Sequence, residues 1–258
     1  MKKPSAKWFL LLPPILFALA YFDRDERFAG GHWRRASRAP VGLAPLPSAT
    51  PEAVVQVYSA RAVRWRGYFG EHTWIAVKPA AAPEFSVYEV TGWRLRRSNT
   101  SVNISQRAPD GRWFGNAPKL LAELRGTLAE RAIPKIVAAV DHYPYAASYR
   151  VWPGPNSNTF TAYVLRNVPE LRADLPATAI GKDYLGARVI AAAPSGTGWQ
   201  FNLLGVLGVM AAREEGLEIN LLGLTFGVDP NQLSLKLPLA GRVGFGGSEV
   251  SAAEPRQK

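Results

Sequence analysis

Three side chains in this sequence could share acid–base and nucleophilic work. Ser157 stands in the stretch Trp152-Pro153-Gly154-Pro155-Asn156-Ser157-Asn158-Thr159-Phe160. Pro-Gly-Pro bars a helix, and the apolar run from Phe160 to Val168 favours one. Asn156 or Ser157 is then the natural N-cap. A hydroxyl and several backbone N–H groups converge there, at a helix end that favours negative charge. Such a place suits a serine alkoxide and an oxyanion, with Asn156 and Asn158 as further donors. His72, beside Trp74 on a strand-like stretch, would serve as the base, and Glu89 would orient it. Trp74 and Trp152 would flank the substrate. The plainer alternatives are a helix cap at Ser157, a satisfied half-buried His72 and a solvated Glu89.

Other chemistry is thinly represented. The chain of 258 residues has no cysteine, which removes disulfides, thiolate zinc sites and a cysteine nucleophile. Of three histidines, His32 lies in a linker-like stretch and His142 at a helix end. No metal-ligand spacing is visible, and no cofactor is expected. Gly196 and Gly198 lack the Gly-Lys-Ser/Thr of a phosphate loop, and Ser195 lacks a nucleophile elbow.

The elements that must position these residues can be read in order. Ala53 to Val63 and His72 to Val77 have strand character, and Phe85 to Trp93 follows after a short loop. The loop length predicts an antiparallel hairpin with Glu89 opposite Trp74 and diagonal to His72. One residue of slip would send Glu89 to the other face. A short strand is expected near Val102–Ser105. Asn116-Ala117-Pro118 followed by Leu120, Leu121 and Leu124 predicts a helix closed by Gly126. A second helix should run from about Leu128 to His142, and a third over roughly 158–167. Asn202-Leu203-Leu204-Gly205 is echoed by Asn220-Leu221-Leu222-Gly223, which predicts a long apolar C-terminal β-hairpin, with a further strand at Leu233–Leu237.

Composition is that of a globular chain: 47% hydrophobic and 20% charged, with a formal net charge of +11. The surplus could favour anionic surfaces, yet no nucleic-acid module is recognisable and nucleic acid is not an expected partner. Lys2, Lys3 and Lys7 precede an apolar run from Trp8 to Phe22, the order of a signal anchor or signal peptide over residues 1–22. Fifteen helical residues span about 22 Å, short of the roughly 30 Å hydrocarbon core, and Trp8, Tyr21 and Phe22 could extend the reach. Ala18-Leu19-Ala20 also reads as a cleavage site, so export after Ala20 stands beside a retained anchor. Residues 23–52 read as a Pro/Gly-rich linker, 53–245 as a single globular domain and 246–258 as a disordered tail.

The body resembles a bacterial family catalogued as domain of unknown function 3750. The resemblance rests on His72-Thr73-Trp74, Asp110 to Pro118, Trp152 to Phe160, Ala179-Ile180-Gly181-Lys182-Asp183, and Asn220 to Leu224. It implies a membrane-associated or exported protein; Lys2, Lys3 and Lys7 on the cytoplasmic side would place it in the bacterial inner membrane with the body facing the periplasm. More faintly, a strand histidine followed by Asn-x-x-Thr-Phe opening a helix is similar to the circularly permuted papain-like hydrolases and acyltransferases. There the position of Ser157 is a cysteine, with His72 as its base; serine is a far weaker nucleophile at neutral pH. The expected fold is therefore α+β, an antiparallel sheet with helices packed on it and a permuted papain-like core. Two functions remain open. One is a serine-dependent amide or ester hydrolase or acyltransferase at the envelope. The other is a non-catalytic envelope module that binds peptide, glycan or lipid.

Overall fold

The computed structural model describes residues 35–244. The expected membrane segment (1–22) and tail (246–258) lie outside the described residues. The body is α+β, two antiparallel sheets and two helices.

The first sheet has strand order β4-β3-β2-β1-β5. Its strands are β1 (Val54–Arg61), β2 (Glu71–Lys78), β3 (Ser86–Val90), β4 (Val102–Gln106) and β5 (Lys119–Arg125). The helices are α1 (Gly126–Asp141) and α2 (Ser157–Asn167). Every residue of β2 is buried, because both faces of the sheet are covered. Val55, Val57, Ile75 and Val77 pack against Ile136 of α1 and Phe160 and Leu165 of α2. The alternate residues Val54, Tyr58, Trp74 and Ala76 meet Trp113 and Phe114 in a second cluster. Strand alternation thus divides β2 between two cores. Part of the Pro-rich linker is held against this second side: Pro40 bridges Gly111, and Asp110 accepts the Leu43 N–H at 2.8 Å.

The helix expected after Pro118 is strand β5, paired with β1 from Val54–Arg125 to Ser59–Lys119. The register shifts where Val57 faces Ala122 and Tyr58 faces Leu120, so Leu121 is the extra residue of a bulge. The bulge sends Leu120 to one core and Ala122 and Leu124 to the other. It also erases the two-residue period, and Leu120, Leu121 and Leu124 then mimic a helical stripe. Gly126, expected to end a helix, begins α1 at φ 56°.

The second sheet corrects the expectation of a C-terminal hairpin. Seven strands form a meander in sequence order. They are β6 (Ile190–Ala192), β7 (Gly198–Leu203), β8 (Leu207–Ala212), β9 (Gly216–Leu221), β10 (Leu224–Asp229), β11 (Ser234–Leu237) and β12 (Gly241–Gly244). The echoed Asn-Leu-Leu-Gly segments are not two arms of one hairpin. Each is the turn of its own hairpin, β7–β8 and β9–β10. Leu204 and Leu222 adopt φ near +53° and +54°, and Gly205 and Gly223 follow with positive φ. Asn202 Oδ1 accepts the Gly205 N–H at 2.6 Å and Asn220 Oδ1 the Gly223 N–H at 3.1 Å. The asparagine pins a turn whose leucine sits in a conformation that disfavours a side chain.

This sheet is polar inside and apolar outside. Gln200, Asn202, Glu218, Asn220 and Lys236 are buried on its inner face. They meet α2 and the 170–185 segment. Lys182 pairs with Asp183 at 3.1 Å and with Glu218, while Lys236 bonds Asp174 and Glu218, each at 2.7 Å. Burial pulls the Lys182 ammonium down, but Asp183 and Glu218 outweigh it and hold the pKa above the usual lysine value. Arg166 of α2 reaches Gln200 Oε1 at 2.6 Å. Burial brings its pKa down to about 10, against the opposing pull of Asp183 and Glu215. Among the described residues no helix is long and apolar enough to cross a membrane.

Candidate functional site

The N-terminus of α2 is organised by Asn156. Its Oδ1 accepts the N–H groups of Asn158 (2.9 Å) and Thr159 (3.2 Å), and Thr159 Oγ1 accepts the Asn156 N–H at 3.1 Å, a reciprocal cap. The Nδ2 group of Asn156 donates to Val151 O (3.0 Å) and Ile180 O (2.9 Å). Asn158 Nδ2 donates to Glu71 O (2.9 Å) and Ile180 O (2.8 Å). A carboxamide has two N–H donors, so neither asparagine keeps one for an oxyanion. The donor left over at this helix end is the backbone N–H of Ser157, for which no hydrogen-bond partner exists among the described residues. Gly181 must be glycine: its φ is 95°, and a Cβ there would lie 2.3 Å from Asn156 Nδ2.

His72 is held rigidly on β2. Its Nε2 lies 2.9 Å from Glu89 Oε2, and its ring stacks on Trp113 at 3.7 Å between centroids. The β2–β3 register, with Ile75 opposite Tyr88, carries Glu89 to the place across from Trp74. Asn103 donates to Glu89 Oε1 at 3.2 Å and Arg107 lies 3.7 Å from the same oxygen. Burial pushes the Glu89 carboxyl up, yet the hydrogen bond and charge of His72, with Arg107 and Asn103, hold it below the usual carboxylate range. Trp113, Asn103 and Arg107 were not legible as site residues. The aromatic pair inside Asp110-Gly111-Arg112-Trp113-Phe114-Gly115 was the available signal for the first of them.

A cavity of about 640 Å³ brings His72, Ser157, Asn156, Asn158 and Trp152 together, with Trp65, Trp93 and Trp113 in its wall. Trp74 is buried beneath it, its Nε1 donating to Pro109 O at 2.8 Å. His72 and Ser157 reach the cavity from different faces of β2. The β2 side chain aimed at α2 is Thr73, whose Oγ1 meets Asn158 Oδ1 at 3.0 Å and Thr161 Oγ1 at 2.9 Å. His72 therefore points with Trp74 toward the second core. Ser157 Oγ has a long 3.5 Å contact with Asn158 Oδ1, and it has no hydrogen bond to His72. Glu71 adds a buried carboxylate to the cavity wall. Its Oε1 accepts from Thr178 Oγ1 at 2.9 Å and lies 3.6 Å from Arg61 Nε, and its Oε2, buried, has no hydrogen-bond partner among the described residues. Among the described residues no group of three or more metal-ligating side chains occurs.

The site thus belongs to an α+β body whose helix cap, strand histidine and second sheet are tied together by a few short segments. Ile180 and Gly181 carbonyls anchor Asn156, Asn158 and Thr159, and Asp183 accepts from Asn220 Nδ2 at 2.8 Å. The chain belongs to the family described as protein of unknown function (DUF3750), whose model matches residues 52–184. No curated protein and no solved structure matches it.

Proposed function

We propose that this is a membrane-tethered bacterial envelope protein that binds an acidic glycan in the α2 cavity without covalent chemistry. The observation that carries the reading is the direction of β2. Thr73, not His72, is presented to the mouth of α2, so Ser157 has no base in contact, and an unactivated serine is a poor nucleophile. The cavity wall suits a hydroxyl-rich ring. Trp65, Trp93 and Trp152 are all more than half exposed. Their π-faces match the weakly positive C–H face of a sugar. The Ser157 N–H has no hydrogen-bond partner among the described residues, while Arg66 and Arg96 in the wall match a carboxylate.

Titrating the protein with hexuronic-acid oligosaccharides should quench tryptophan emission saturably, and neutral oligosaccharides of equal length should bind more weakly. Trp93→Ala or Trp152→Ala should weaken binding by roughly tenfold, the ~1.4 kcal/mol of a lost stacked ring. Ser157→Ala should leave binding intact. Absence of saturable quenching would remove the glycan reading.

One observation favours a second reading, the serine-dependent hydrolase or acyltransferase. His72 is fixed by Glu89 through Nε2 while Nδ1 has no hydrogen-bond partner among the described residues, and both His72 and Ser157 line one cavity. Catalytic contacts can tighten only when substrate binds. A fluorophosphonate that labels the wild-type protein but not Ser157→Ala, with turnover lost in His72→Ala, would establish that reading over the first.

A further inference from the structure

The outer face of the second sheet is built in three cross-strand rows, all without charge. Trp199, Ala211, Leu217, Val228, Leu235 and Val243 make the first. Ile190, Phe201, Val209, Ile219 and Phe226 make the second, and Leu203, Leu207, Leu221 and Leu224 the third. Trp199 is 69% exposed, and Val209, Leu217, Ile219 and Leu221 are each about half exposed. Strand spacing gives seven strands a width of about 29 Å, and five residues of strand a height of about 17 Å, hence a footprint of roughly 500 Å². That is the upper end of what a lone soluble chain exposes. Ordinary half-buried sheets turn their apolar face inward; this one buries Glu218 and Lys236 and shows leucine outside.

We propose that this face docks on an anionic lipid bilayer. Shape separates a bilayer from a second copy of the chain. The Leu204 and Leu222 turns, 62% and 64% exposed, extend the apolar surface past the end of the strands. A flat face-to-face pairing of sheets would leave those tips in water, whereas a bilayer accepts face and tips together. The surface also continues beyond the sheet. Trp152 Nε1 donates to Leu222 O at 2.9 Å, joining the turn to the aromatic mouth of the cavity. Two exposed turns at that mouth pair tryptophan with cations: Arg64-Trp65-Arg66, and Trp93 with Arg96 and Arg97. Aromatic rings beside arginines are the composition of an interfacial contact with acidic headgroups. Arg35 is thirteen positions after Phe22, the end of the apolar N-terminal run. Thirteen residues can reach at most about 45 Å, which bounds how far the run can lie from Arg35.

The absence of native cysteine allows a local test in the full chain. Val209→Cys on the outer face and Glu130→Cys on α1 would each carry one environment-sensitive fluorophore. The protein would be reconstituted in vesicles of phosphatidylcholine alone or mixed with phosphatidylglycerol. With phosphatidylglycerol, the label at 209 should be quenched by acyl-chain nitroxides and shielded from iodide, and the label at 130 should show the reverse. Arg64→Gln and Arg97→Gln should each weaken this response roughly fivefold. A label at 209 as open to iodide as that at 130 would overturn the proposal. So would self-quenching between labelled copies without contact to lipid nitroxides, which marks a dimer, or shielding already present in lipid-free protein, which marks residues 8–22 as the cover. The readout is local, so tethering through the N-terminal run cannot imitate it, and it is taken with no glycan added, so it stands apart from the glycan titration.

Discussion

Asn156→Ala removes the side chain on which the α2 cap, the Val151 carbonyl and the Ile180 carbonyl all converge. Loss of an N-cap costs about 1 kcal/mol. Two part-buried carbonyls also lose a donor, but not equally. Ile180 O keeps the bond from Asn158 Nδ2 at 2.8 Å, whereas Asn156 Nδ2 is the side-chain donor to Val151 O. Val151 is exposed and its carbonyl can turn to water, so the lost bond adds about 0.5–1.5 kcal/mol. The sum is about 1.5–2.5 kcal/mol, which for a chain of this size lowers the melting temperature by roughly 3–10 °C. Urea denaturation of the full chain, followed by circular dichroism and by tryptophan emission, measures it. Asn156→Asp separates the parts, since it keeps the acceptor of the cap and loses both Nδ2 donors. A loss below about 1 kcal/mol for Asn156→Ala would refute the reasoning, because even the cap alone would then be unaccounted for.

Gly181→Ala should damage the same joint from the other side. A side chain at φ 95° costs about 1–3 kcal/mol, before Asn156 moves away from a Cβ 2.3 Å from its Nδ2. Combined with Asn156→Ala it should be clearly less than additive, as a double-mutant cycle would record. Acid should act through Glu89. Its folded pKa lies below the unfolded value of 4.5, so its contribution is fully present above pH 4.5 and is lost as pH falls through the folded value. Glu89→Gln should therefore be less stable than wild type at neutral pH, with the gap closing below pH 4.5; an unchanged gap in acid denaturation would contradict the pairing.

Much of the first sheet was legible because its strands obey simple rules. Loop length alone put Glu89 across from Trp74, and the polar cluster after Pro-Gly-Pro announced the cap of α2. What failed did so for local reasons. The Leu121 bulge broke the alternation of β5, and a one-residue irregularity is enough to exchange strand for helix in a pattern reading. In the second sheet the alternation was present, as Trp199, Phe201 and Leu203 against Gln200 and Asn202. Its polarity is inverted, so a reading that puts leucine inside could not place it. The site shows a subtler limit. Alternation tells that His72 and Thr73 face opposite ways, but not which side α2 will cover, because that depends on packing distant in sequence. Thr73 was passed over as the middle of His72-Thr73-Trp74, although it is the residue that touches the helix.

The two sheets also differ in how far apart their partners lie along the chain. Every strand of the second sheet pairs with its immediate predecessor or successor, whereas β1 must find β5, with Val54 opposite Arg125. Local contacts form quickly and distant ones slowly. During synthesis, then, the first half waits for its closing strand while each later hairpin can zip as soon as it emerges. Their ionic undersides stay wet until Lys182 and Asp183 are in position to receive them.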